Sequence, residues 1–202
     1  MLVNCVAYQE GRKIAEIPKE AISDYVSRPD CFVWVALKDA TDAELEQMRE
    51  EFDLHPLAVE DARHGHQRPK IEEYGNSLFV VLRTIEVAGD ELKLGEVDIF
   101  AGPNYILSVR HATERGFKDV RARCEREPEL LRNGSGYVLY ALMDAVVDRY
   151  FPVLDAVAVT ASGLGQPRSP FRADRTVDAS SKRPPWTSGA TSLATTARAQ
   201  AS

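Results

Sequence analysis

Cysteine is scarce. The 202 residues hold three, Cys5, Cys31 and Cys124, odd in number and far apart. That excludes a disulfide framework and offers no paired zinc ligands; a reducing compartment fits best. Basic residues are outnumbered, 25 against 31 acids for a net charge of −6, which argues against a general nucleic-acid binder, because neutralising phosphates takes a basic surface. Aromatic residues are 8% of the chain and are not interleaved with cations as a single-strand platform requires. No stretch approaches the roughly 18 uninterrupted apolar residues of a membrane span. The first residues lack the basic start, apolar core and small-residue cleavage site of a signal peptide. Gly-x-Gly-x-x-Gly, the phosphate loop and His-Glu-x-x-His are all missing. With 44% hydrophobic and 28% charged residues the chain is an ordinary globular mix, long enough for one domain with some left over.

What is present is unevenly spread. Residues 1–157 carry 29 acids and 19 bases, whereas residues 158–202 carry 2 and 6. In that last stretch 29 of 45 residues are Ala, Ser, Thr, Gly or Pro, and Glu, Ile, Asn, Tyr, His, Cys and Met are absent. Such a composition cannot bury enough apolar surface to offset its ordering entropy, so 158–202 is expected to be a disordered tail.

Within the folded part, alternation at 2–8 and a Glu10-Gly11 turn predict a strand pair, and Pro18 opens a short helix. CFVWVAL (31–37) is apolar at every position, the mark of a central strand. Thr41-Asp-Ala-Glu44 is a capping box, with Leu45, Met48 and Phe52 on one face of the helix that follows. His55-Pro56 starts another helical turn over 57–63. Residues 78–87, 93–100 and 105–110, separated by turns, predict an antiparallel meander of three strands. A charged surface helix over 116–127 and a long helix over 135–157 follow. Pro152 removes the hydrogen bond to the Asp148 carbonyl and predicts a kink there. The expected fold class is α/β: a mixed sheet covered by helices on both faces, an αβα sandwich over 1–133, followed at 134–157 by the start of a long stalk helix.

Two clusters could carry chemistry. In HPLAVEDARHGHQRPK (55–70), Glu60 and Asp61 are adjacent hard oxygen ligands of the kind magnesium or calcium prefers. The competing reading is a solvated helix end, or an ion pair with Arg63 or Arg68. His64 and His66 flank a glycine without a suitable third zinc ligand and read as a solvated loop. On the long helix, Asp144, Asp148 and Asp155 fall at about 0, 40 and 20 degrees on a helix turning about 100° per residue. Like charges so aligned repel unless a cation sits nearby; otherwise they form a solvated acidic face balanced in part by Arg149. A metal-dependent hydrolase using Glu60, Asp61 and Asp144 is a third possibility, for which no cleft can be identified.

Taken together the clusters resemble a known family. HPLAVEDARHGHQRPKIEEYGNSLFVVLRT (55–84), EVDIFAGPNYILSVR (96–110) and YVLYALMDAVVDRYFPVLDAV (137–157) are similar, in order and spacing, to the cytosolic domain of the CorA family of magnesium and cobalt transporters. WVAL and TDAELEQMREEF, upstream, also fit. The resemblance covers residues 1–157, and a zinc-transporting branch shares the architecture. It implies a homopentamer with a funnel-shaped cytosolic part, at the cytoplasmic face of the cell membrane, in which regulatory Mg2+ (or Co2+) binds between neighbouring subunits and holds the pore shut. Asp61 matches the family's principal carboxylate at that boundary. Glu60 and Asp144 match a second, adjacent site, and Asp148 is a further candidate. No enzymatic chemistry is implied, and no nucleic-acid partner.

After Val157 the resemblance stops. The family continues there with an acidic stalk, two transmembrane helices and a Gly-Met-Asn signature, none of which follows here. The expectation is therefore a sensing domain truncated before its pore, cytoplasmic by itself and unable to transport. A frameshift is the favoured origin of the tail; the alternative is a stand-alone soluble metal-responsive module. The isolated 1–157 piece is expected to respond to metal only weakly, because the carboxylate facing Asp61 lies in the missing stalk.

Overall fold

A computed structural model of the chain describes residues 1–88 and 91–163. Seven strands form one sheet in the order β2-β1-β3-β7-β6-β5-β4. They are β1 (Leu2–Gln9), β2 (Arg12–Glu16), β3 (Cys31–Lys38), β4 (Lys70–Tyr74), β5 (Ser77–Ala88), β6 (Glu91–Ala101) and β7 (Tyr105–His111). β3 and β7 pair in parallel and every other pair is antiparallel, so the sheet is mixed.

Side-chain chemistry explains this order. β3 has no polar face: Val33, Val35 and Leu37 point to one side of the sheet, Phe32 and Trp34 to the other, and all are buried. Only a position covered on both sides removes that much apolar surface from water. The helices supply the cover. α1 (Ile22–Val26), α2 (Asp42–Phe52) and α3 (Pro56–His64) pack on the first side. α4 (Lys118–Arg126), α5 (Pro128–Leu131) and α6 (Ser135–Asp148) pack on the second. The result is the expected αβα sandwich.

The local signals are met in detail. Thr41 accepts from the Glu44 amide and the Glu44 carboxylate accepts from the Thr41 amide, closing the capping box of α2. α3 begins with Pro56 at its first position and the His55 ring accepting from the Leu57 amide; it ends at Gly65, whose φ is 61°. Two elements differ from expectation. The meander has a fourth strand, β4, at the sheet edge, and α5 forms a short turn of helix against the β1–β2 hairpin. That packing is close: a Cβ on Gly11 would lie 2.0 Å from the Pro128 carbonyl oxygen.

The long helix is interrupted where proline predicts. α6 stops at Asp148 and α7 (Tyr150–Gly163) resumes after Arg149. Arg149 is 8% exposed, donates to the Gly116 carbonyl at 2.7 Å and lies 4.5 Å above the Phe117 ring, so the break is pinned to the body of the domain. Of the expected tail, 158–163 continue α7, and 164–202 lie outside the described residues. Among the described residues no helix is long and apolar enough to cross a membrane.

Candidate functional site

α3 docks through Ala58, Val59 and Ala62, all buried. That contact turns Glu60 out to solvent and leaves Asp61 half-buried on the flank beside β4. There Lys70 reaches across: its ammonium lies 2.6 Å from Asp61 Oδ2 and 2.9 Å from Glu72 Oε2. Burial works against the Lys70 charge, but the two carboxylates outweigh it and raise its pKa. The sequence named Arg63 or Arg68 as the partner of this carboxylate, and the structure corrects that. Arg63 instead turns to Asp42, at 3.3 Å, and Glu46, at 3.8 Å, on the neighbouring α2. His66 is exposed in the loop, as expected; His64 is exposed too, but it is the last residue of α3, with Nδ1 2.8 Å from the Glu60 carbonyl oxygen.

The second cluster divides in the same way. Asp144 is half-buried and receives the Arg123 guanidinium at 3.0 Å. Asp148 and Asp155 are exposed. Arg149, expected to balance part of this acidic face, is committed to the Gly116 carbonyl and to Asp119, 3.5 Å away.

The two clusters stand on opposite sides of the sheet, Glu60 and Asp61 with the α1–α3 layer, Asp144 and Asp148 with the α4–α6 layer. Among the described residues no three His, Cys, Asp or Glu side chains converge as a metal site. A hydrolase centre drawing on Glu60, Asp61 and Asp144 is therefore not assembled within one chain. The donor chemistry of Glu60, Asp61 and Asp144 is that of hard oxygen ligands.

A third group was missed in the sequence. Beneath the end of α3, Glu96 and Asp98 of β6 are 2% and 0% exposed. Arg83 Nη1 lies 3.1 Å from Glu96 Oε2, and His111 Nε2 lies 3.3 Å from Asp98 Oδ2, yet neither contact is aligned as a hydrogen bond. Burial, reinforced by Glu96 alongside, pushes the Asp98 carboxyl up to about 6, while Asp98 in turn raises the His111 imidazole. The signal was available: EVDIF places two acids at period two in an otherwise apolar strand, and Arg83 is the register partner of Glu96.

Comparison with known proteins bears on these sites. The profile of the family described as CorA-like Mg2+ transporter protein matches residues 30–166. A Bacillus subtilis protein, YfjQ, named as a candidate metal ion transporter, is 35% identical over 146 residues, covering 72% of this chain and 44% of its own. The cobalt/magnesium transport protein CorA of Thermotoga maritima is 34% identical over 116 residues, covering 56% of this chain and 33% of its own. The chain thus spans less than half the length of either relative. In fold it is similar to the soluble domain of CorA from Methanocaldococcus jannaschii. That likeness has a TM-score of 0.55 at 16% identity and covers 79% of this chain and 62% of the other.

Proposed function

The chain belongs to the CorA-like Mg2+ transporter family, and from that premise we propose that it is the regulatory, metal-sensing part of a magnesium and cobalt transporter, placed on the cytoplasmic side of the membrane. The observation that carries this reading is the separation of the carboxylates. Glu60, exposed, and Asp61, half-buried beside Lys70, lie on one side of the sheet and Asp144 on the other, so a Mg2+ ion that uses carboxylates from both sides is held by two neighbouring copies. An ion bound in that way stabilises the assembled state over the separated one, and its occupancy reports the ion's concentration. In the proposed pentamer this favours the closed pore.

An apolar stripe supports self-association. Tyr140, Val147, Phe151 and Leu154, at spacings of seven, four and three along α6 and α7, are 47 to 59% exposed. Exposed apolar side chains grouped along two successive helices are the kind of surface that a second copy can cover.

Sedimentation of the 202-residue chain across a Mg2+ titration tests the proposal. The average mass is expected to rise in the millimolar range, weakly, and to stay flat in Asp61→Ala. Mg2+ binding to a monomer whose mass never changes would contradict it.

A further inference from the structure

On the second side of the sheet the helical layer stops short. α4 begins only at Lys118, and among the described residues no helix covers the ends of β1, β3 and β7, which surround a cleft of about 550 Å3. Asn4, Trp34, Ala36, Ser108 and Arg110 form its floor, and Gly116, Phe117 and Lys118 a wall.

Arg110 is the anomaly. It is 5% exposed, its Nη1 is enclosed without a hydrogen-bond partner, and no carboxylate among the described residues forms an ion pair with it. A buried guanidinium in that state is expensive unless an anion meets it. The acids on the rim are otherwise engaged: Glu114 holds Lys38 at 2.7 Å, and Asp119 lies 3.8 Å from Arg115 and 3.5 Å from Arg149. Lys118, exposed at the mouth, has no ion pair among the described residues. Five cationic side chains against two acidic ones line the cleft; Lys38, Arg115 and Arg121 are paired with Glu114, Asp119 and Glu125, which leaves Arg110 and Lys118 without an ion pair among the described residues. Phe117, at the N-cap of α4, supplies no side-chain acceptor, so the first-turn amides of the nine-residue helix remain available on the same wall.

We propose that this cleft binds a small phosphate-bearing molecule, with Arg110 as the buried anchor and Lys118 and the start of α4 completing the anion cradle. A guanidinium fork matches phosphate oxygens in pairs. A second unpaired cation, Lys118 at the mouth, favours a multiply charged group over a single carboxylate. The cleft is larger than one oxyanion requires and falls in the range of small-molecule sites, and Trp34 and Phe117 give it apolar lining for an organic portion. None of its residues belongs to the proposed Mg2+ site, so either reading can fail alone.

The test is calorimetric titration of the 202-residue chain with inorganic phosphate, ATP and adenosine, in EDTA to remove divalent ions. Phosphate and ATP are expected to compete for one saturable site, with ATP the tighter, and adenosine is expected not to bind. If phosphate alone binds, the ligand is the free ion; tighter ATP binding identifies a nucleotide-like ligand; both retain the anion cradle. Arg110→Met is expected to weaken binding by about tenfold or more. Lys118→Ala, fully at the surface, is expected to weaken binding several-fold with the melting temperature unchanged. Absence of saturable binding, adenosine binding as tightly as ATP, or unchanged affinity in Lys118→Ala and Arg110→Met would each overturn the proposal.

Discussion

Replacing Lys70 with glutamine is expected to lower the Mg2+ concentration at which the chain responds by about tenfold. The Lys70 ammonium sits 2.6 Å from Asp61 and 2.9 Å from Glu72, with Lys70 and Asp61 each less than a third exposed. It occupies the seat that a divalent ion must take on Asp61. Charge-assisted contacts of this kind contribute about 1–3 kcal/mol, toward the low end where water still reaches the pair, and an ion binding there has to overcome that amount. Glutamine removes the competing charge and keeps the chain length. Lys70→Arg restores a cation and is expected to leave the response unchanged or weaker. Glu72→Gln should weaken it too, because Lys70 is then committed to Asp61 alone. Calorimetric Mg2+ titration of the three variants distinguishes these outcomes; an unaltered midpoint in Lys70→Gln sinks the competition argument.

Asp98→Asn is expected to stabilise the fold increasingly as pH rises. The Asp98 carboxyl titrates near 6 when folded against an ordinary 3.8, chiefly because burial disfavours its charge. The folded state therefore holds this proton more tightly than the unfolded chain does. The stabilisation this provides is complete below about pH 4 and lost as pH climbs to about 6, and amounts to about 3 kcal/mol. His111 adds to the trend. Its pKa is raised by Asp98, so its contribution is present below about 6.5 and lost as pH rises through the raised value. Asparagine cannot ionise and removes the first effect and the main cause of the second. Urea unfolding at pH 4, 6 and 8 should show the variant gaining on the parent at each step. A difference between the two that does not change with pH contradicts the assignment.

The legible parts of this fold are those where one residue pattern admits one arrangement. CFVWVAL has no face fit for water, so β3 had to be central, and the Thr41 box and His55-Pro56 fixed the starts of α2 and α3. β4 was missed because KIEEY is short, half charged and lies at an edge, where alternation is weak and Lys70, Glu72 and Tyr74 are only half-buried. That omission reached the candidate site. Without β4 the partner of Asp61 had to be sought nearby in sequence, at Arg63 or Arg68, whereas the sheet edge brings Lys70 to it. Arg149 was misread for a related reason. The sequence places it beside the acidic face of the long helix, but the helix break at Arg149 turns it onto Phe117 and Gly116. From the sequence, Glu96, Asp98 and Arg110 read simply as strand residues. Their burial follows from which helices cover each end of the sheet, a property of long-range packing that local pattern does not carry.

The central claim, that one ion is shared by two copies, is tested most directly by mixing two defective chains. Glu60→Ala keeps the α6 half of each contact and Asp144→Ala keeps the α3 half. If ligands come from different copies, neither variant alone associates in Mg2+, whereas an equimolar mixture recovers part of the parent's Mg2+-dependent mass increase in sedimentation. Juxtaposition of the two intact halves is then possible only across a mixed contact. A mixture as inert as its components, or variants that each respond like the parent, would contradict the shared site.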